Sequence, residues 1–177
     1  MRLALLCLTL AFLSFSIHAE SNSGLKKHFE EDQQIRSEEN RQKGKTPDSK
    51  DEIARRLYVF SALANGDLNT ADDFFYASII LQHTNLEFVG EKLKSASNEN
   101  HLLAYYLAQK AYQLGHEKGA WLIAATYNRY LENAAIDVNK YGLKYDNTRV
   151  YLQNNSITDE ERILRGLPPV QSVLFKK

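Results

Sequence analysis

Residues 70–134 read TADDFFYASIILQHTNLEFVGEKLKSASNENHLLAYYLAQKAYQLGHEKGAWLIAATYNRYLENA, and the periodicity of this stretch decides the fold class. Thr70 followed by Asp73 has the spacing of a reciprocal N-terminal cap, and Asp72 and Asp73 also suit the positive end of a helix dipole. Phe74, Ala77, Ser78 and Leu81 then fall on one helical face, which Phe75 and Ile79 widen to nearly the whole circumference. A helix that is apolar all round belongs at the centre of a domain. Leu103, Leu107, Ala111 and Leu114 form a second stripe beside Leu102 and Tyr106, and Ala120, Ile123, Tyr127, Tyr130, Leu131 and Ala134 form a third. Gly115 and His116 close the second helix just before the third begins, so short a turn that the two must be antiparallel neighbours. Ala104, Ala108, Ala111, Ala120, Ala124 and Ala125 allow their backbones to approach closely. Thr84 to Asn100 is less regular; a short helix over Glu87 to Ser95 and then a loop are expected there.

Upstream, Ser49 and Glu52 again have capping-box spacing, and Ile53, Leu57, Phe60 and Leu63 recur at helical intervals, which predicts a helix over 50–64. Gly66 suits the left-handed position that ends it. Residues 44–48, Gly-Lys-Thr-Pro-Asp, are a break. Leu25 to Lys43 is rich in charge, with Leu25, Phe29 and Ile35 as its only large apolar residues, and reads as a polar arm or a surface helix. Downstream, Tyr141 to Tyr145 and Arg149 to Gln153 are short and aromatic, with Asp146 and Asn147 between them, and predict a small β-hairpin or extended cover. Thr158 caps a last short helix that Gly166, Pro168 and Pro169 stop near Arg165.

The N-terminus addresses the compartment. Arg2 precedes an apolar run from Leu3 to Ile17, followed by Ser16-Ile17-His18-Ala19 and then a strongly polar segment. A run of that length is short for a bilayer span and reads as a secretory signal cleaved after Ala19. The expected protein is therefore exported, periplasmic or secreted, with no integral membrane segment after cleavage. Cys7 is the only cysteine and falls inside the signal, so the mature chain has neither disulfide nor thiolate ligand. The whole chain carries 22 basic and 22 acidic residues. That balance argues against nucleic acid as a partner, since a phosphate backbone calls for a basic surplus.

Two polar pairs stand out in apolar surroundings: Gln82-His83 and Asn128-Arg129. A histidine at a helix C-terminus is usually a cap for the last carbonyls. The sharper alternative sets His83 as an acid or base across a cleft from Arg129, whose guanidinium would hold a carboxylate or phosphate. Arg129, in an apolar helix, needs a carboxylate; Asp32 or another acid is the expected partner, tying the N-terminal segment to the core. Metal binding has little support, because His28, His83, His101 and His116 are scattered without ligand spacing. A nucleophile is also lacking: no serine sits in a glycine-flanked elbow and the mature chain has no thiol. No cofactor is implied.

Two likenesses add to this reading. Ala104, Ala108, Ala111, Gly115, His116 and Ala120 lie in the pattern of one Sel1-like or tetratricopeptide unit, which 102–131 resembles over about thirty residues. More widely, Asp32, Gln33 and Arg36, Gln82 and His83, Arg129, Tyr141 and Gly142, and Asp159, Arg162, Pro168 and Pro169 follow in an order that resembles a bacterial domain-of-unknown-function family of small, often exported proteins. Against that pattern Asn128 replaces aspartate, Asn139 replaces glutamine, and Leu143-Lys144 replace Thr-Gln. The family likeness implies a shared polar junction of Asp32, Gln33, Arg36, Gln82, His83, Asn128, Arg129, Asn139 and Tyr141, but no activity. The expected fold is mainly α, antiparallel helical hairpins with tetratricopeptide-like packing and a small β-hairpin cover. Residues 1–19 would be signal, 20–48 polar arm and linker, and 49–177 one helical domain. The function expected is an interaction or accessory role with a protein or peptide partner. The alternative is a ligand-binding or hydrolase-like enzyme built on His83 and Arg129.

Overall fold

The computed structural model describes residues 20–84, 86–90, 92–147 and 149–170; the predicted signal, residues 1–19, lies outside them. The described chain is mainly helical, in the order α1 (Ser23–Ile35), α2 (Glu38–Gln42), α3 (Ser49–Asn65), α4 (Ala71–His83), β1 (Leu86–Val89), β2 (Lys92–Ser95), α5 (Asn98–Gln113), α6 (Gly119–Asn133), α7 (Val138–Tyr141), β3 (Leu143–Tyr145), β4 (Val150–Leu152) and α8 (Asp159–Leu164). Each pair of strands forms a separate antiparallel hairpin. The C-terminal one falls where it was expected. The stretch expected to be a short helix over 87–95 is instead the β1–β2 hairpin, turned at Gly90 with φ of 64°. Leu86-Glu87-Phe88 and Lys92-Leu93-Lys94 alternate apolar and polar residues at period two, and that alternation wins over a weak helical pattern.

Helix α4 is the axis of the molecule. Its N-terminus carries the full capping box, with Thr70 accepting from the Asp73 amide and Asp73 accepting from the Thr70 amide. Asp73 and every residue from Ala77 to Gln82 are buried. Phe75 and Ile79 face one cluster with Tyr105, Ala108, Ile123 and Tyr127. Ala77, Ile80 and Leu81 face a second cluster with Leu25, Val59 and Leu107. Apolar residues on all sides of one helix thus become two cores sharing one wall, joined to α5 by Ser78 Oγ donating to the Ala104 carbonyl at 2.8 Å.

Helices α5 and α6 form the close pair that the alanines predict. Ala104, Ala108, Ala111, Ala120 and Ala124 are all buried. At the turn, a Cβ on Gly119 would stand 2.7 Å from Tyr112 Cα, so only glycine permits this approach. On α5 the buried face is Ala104, Tyr105, Leu107, Ala108 and Ala111, while Leu114 and Tyr106 at the edges of the expected stripe are exposed.

Helix α3 forms where it was expected but is capped differently. It begins one residue early, capped by Asp48 accepting from Lys50, so Ser49 lies inside the helix and makes no capping box with Glu52. Gly66 ends it in the left-handed conformation, as predicted. Its buried residues are Arg55, Val59 and Ala62, whereas Ile53, Leu57 and Phe60 are 45%, 58% and 37% exposed. The apolar stripe faces outward. The inner face instead presents the shorter Val59 and Ala62 to α1 and α4, and Gly24 of α1 meets it so closely that a Cβ there would clash with the Tyr58 ring. The first helical segment is no loose arm. Leu25 is fully buried, Phe29 stacks on Tyr76, and Asn22 caps α1 by accepting from Leu25.

Candidate functional site

The polar residues singled out in the sequence separate into two centres. The first lies where the C-terminal ends of α1 and α4 meet α3. Asp32 is fully buried, and its carboxylate accepts from Arg36 Nε at 3.1 Å and Gln33 Nε2 at 3.0 Å, with His83 Nδ1 2.6 Å from its second oxygen. Arg36 Nη2 also donates to the His83 carbonyl at 3.0 Å and pairs with Glu52 of α3. Glu52 was expected to cap its own helix; here it closes a charge network between two helices. Arg55, buried on the same face of α3, brings Nε to 4.0 Å from Asp32.

Burial works to raise the Asp32 carboxyl, but the hydrogen bond and charge of His83 and the charge of Arg36 outweigh it and hold the group below the ordinary carboxylate range. An ionised Asp32 has only acceptors to offer, so His83 Nδ1 is the donor in this bond. His83 does not cap the helix. Arg36 takes its carbonyl, and Thr84 Oγ1 takes that of Leu81 at 3.2 Å. Aspartate fixing an imidazole tautomer is half of a general-base arrangement. A cleft of about 500 Å³ opens elsewhere, against the outer side of α1 and the start of α3, and neither His83 nor Arg129 lines it.

The expected pairing of Asp32 with Arg129 is not what forms. Arg129 Nε lies 4.0 Å from Glu132 on its own helix, and Asp32 draws its cations from α1 and α3 instead. The reason is sequence proximity: Arg36 is one helical turn from Asp32, so the shortest route to neutrality is local. His101 of α5, which feels the charges of both His83 and Arg129, is fully buried, with no hydrogen-bond partner on either ring nitrogen among the described residues. Burial first, then Arg129 and His83, push its pKa down to about 4, so it is a neutral imidazole at pH 7. Gln82 Oε1 and Asn100 Nδ2, also buried, likewise lack partners among the described residues.

The second centre joins α6 to the C-terminal cover. Asn128 Nδ2 donates to the Leu143 carbonyl and its Oδ1 accepts from the Leu143 amide, both at 2.8 Å, so the side chain pairs with β3 as a neighbouring strand would. Tyr141 donates to Glu161 at 2.9 Å, and Asn139 is exposed. Arg162 is completely buried and donates to Tyr127 Oη at 2.9 Å and to the Tyr141 carbonyl at 2.6 Å. Of the nine residues expected at one junction, six are therefore divided: Asp32, Gln33, Arg36 and His83 at the first centre, Asn128 and Tyr141 at the second. Sequence reasoning passed over Glu52, Arg55 and His101. The first two carry a signal, since they lie three residues apart on one helix face, off the Ile53–Leu57–Phe60 stripe; His101 carries none.

The chain matches no family model, no curated protein and no solved structure. Among the described residues no group of histidine, cysteine, aspartate and glutamate is arranged to hold a metal, and no helix is long and apolar enough to cross a membrane.

Proposed function

We propose that this protein is an exported helical accessory protein that binds an amphipathic helix of a partner through the outer face of α3. The observation that carries the reading is the exposed series Ile53, Leu57 and Phe60, extended by Ala64. The intervals of four, three and four are those of a heptad seam, and a seam of that spacing is complementary to another helix. Its flanks at Ala54 and Ser61 are small and exposed, which permits close approach. On the other flank stands Arg56, half-buried. In an antiparallel pairing of two copies centred on this seam, Arg56 would meet Leu63. A carboxylate on a different chain satisfies it better, which favours a heterologous partner with an acidic residue at that position.

The polar residues support the same conclusion. Asp32, Arg36, Glu52 and His83 are paired with one another, as in an internal tie. The alternative enzyme, with His83 and Arg129 as working groups, is the weaker reading for that reason.

A photo-crosslinking residue at position 57, in cells expressing the full chain, tests the proposal. The expected result is one discrete adduct with a different protein, lost on Arg56→Glu and absent when the probe is at Lys27 on α1. Adducts only with a second copy, or equal labelling from both positions, would overturn it. Export is tested separately by N-terminal sequencing of the mature chain, expected to begin at Glu20; an intact Met1 would count against it.

A further inference from the structure

We infer that His101 is an acid-sensitive latch: its protonation opens the β1–β2 hairpin and the first turn of α5 while the rest of the helical core stays folded. The latch stands on the contact between α4 and α5 and does not depend on the helix-binding role.

Helices α4 and α5 are antiparallel. His116, just past the end of α5, stacks on Phe75 and reaches Asp72 at the start of α4, and Ser78 bonds to Ala104 midway along. One turn further, this register sets Gln82 level with Asn100 and His101. Here the fold leaves polar groups unmatched. Both ring nitrogens of His101, Gln82 Oε1, Asn98 Oδ1 and Asn100 Nδ2 are buried without a partner among the described residues. Groups buried in that way cost free energy in the closed state and regain water on opening. The segment is also lightly held. Ser97, at the N-cap of α5, turns its hydroxyl to Glu99 and caps no amide. The hairpin packs chiefly on itself. Ser95 N, bonded to Asn133 Oδ1 at 2.9 Å, and Asn98 Nδ2, bonded to the Tyr130 carbonyl at 3.2 Å, tie this end of the chain to α6. Sparse packing and an uncapped helix start mark a unit that opens by itself.

The surrounding charges set the direction of the response. Arg129 on α6 and His83 on α4 act on His101, and no carboxylate is among the groups that do. Glu99 on its own helix, and Glu87 and Lys94 on the hairpin, are exposed to solvent. An imidazolium at this position meets desolvation and the repulsion of Arg129 together, which brings its pKa down to about 4. In the opened segment the ring returns to its ordinary 6.5, so acid favours opening. A released hairpin takes with it Leu86, Glu87 and Ala96, which face Ile53 and Arg56 of α3 across a groove of about 130 Å³. Acid thereby alters the surface beside the α3 seam; this consequence rests on the helix-binding reading, whereas the opening itself does not.

Hydrogen exchange of the full mature chain, followed by NMR at pH 7 and pH 5 and corrected for the intrinsic exchange rate, tests the latch. At pH 5 the amides of Ser95 and Leu102–Ala104 should be at least about tenfold less protected than those of Ile123–Thr126 on α6. Between pH 7 and pH 5 their protection should fall roughly 20-fold, the ratio set by a pKa of 6.5 open and about 4 closed. His101→Phe should remove that fall; where the phenyl ring does not fit, His101→Gln, which cannot titrate, carries the same arm. Protection of Leu102–Ala104 equal to that of Ile123–Thr126 at pH 5 would overturn the latch. So would a fall with pH that is absent from the native chain or persists in the variant.

Discussion

Asp32 Oδ2 and His83 Nδ1 are 2.6 Å apart in space and 51 positions apart in sequence, and the same interval separates Asn22 from Asp73, whose carboxylate accepts the Asn22 amide at 2.7 Å. Helices α1 and α4 therefore run parallel in a single register, pinned at one end by Asp73 and at the other by Asp32. Ser21 Oγ adds a third bond to Asp73 at 2.8 Å. Because the two acids are on different helices, sliding α1 by one turn would break both ties together.

The tie between α1 and α4 should be energetically visible. Asp32→Ala leaves Arg36 and Arg55 without their shared anion and should cost about 3–5 kcal/mol. In a double-mutant cycle, Asp32→Asn and His83→Gln should couple by roughly 0.5–3 kcal/mol in urea unfolding, whereas Asp32→Asn and Arg129→Gln should be additive within about 0.5 kcal/mol. Coupling to Arg129 as large as that to His83 would contradict the geometry.

His101 should make stability depend on pH in a window of its own. Its pKa is depressed from 6.5 to about 4 in the fold, so the unfolded chain binds a proton that the folded chain refuses. Stability is therefore complete above pH 6.5 and falls as the pH drops toward 4, by about 2–4 kcal/mol in all. His101→Phe should flatten this window and raise stability at pH 5, since neither ring nitrogen has a bond to lose. Asp32 acts lower: its lowered pKa stabilises the fold above 3.8, and that contribution is lost as the pH falls through the folded value. A second acid transition should thus survive in the Phe variant, as followed by circular dichroism across pH 2–7.

The orientation of α3 predicts an inverted mutational pattern. Leu57→Ser, on the larger and more exposed residue, should change stability by no more than about 0.5 kcal/mol, as a surface substitution does. Val59→Ala, at a fully buried position, should cost about 1–3 kcal/mol. Chemical denaturation of the two variants distinguishes this arrangement from one with the stripe inside.

Asn128→Asp is expected to be more harmful than its size suggests. The carboxylate keeps the bond from the Leu143 amide but sets an oxygen against the Leu143 carbonyl, which now receives the Asn128 amide. Loss of about 1–3 kcal/mol, with early loosening of the β3–β4 cover in hydrogen exchange, is the expected outcome.

Legibility followed the range of the forces involved. The Thr70 cap, the left-handed Gly66 and the α5–α6 hairpin depend on neighbours within a few residues or on a regular period, and each was readable in advance. The candidate site was legible by half: Asp32, Gln33, Arg36 and His83 were rightly grouped, but Arg129 was joined to them because a buried arginine must find an anion and the sequence does not say which. The direction of the α3 stripe was not legible, because spacing reveals that a helix has an apolar face, while only its neighbours decide whether that face is covered.

By itself, the sequence determined the near-neutral charge, the single cysteine at position 7, the mainly helical class and the central place of α4. These follow from composition, capping chemistry and the 3.6-residue period. The tertiary structure alone decided that α1 lies parallel to α4, that α3 turns Arg55 inward and Leu57 outward, and that Asn128 completes a strand edge. Those outcomes depend on close approaches such as Gly24 against Tyr58, and on which of several carboxylates reaches a given cation first. Both are properties of three-dimensional distance, which no local pattern encodes.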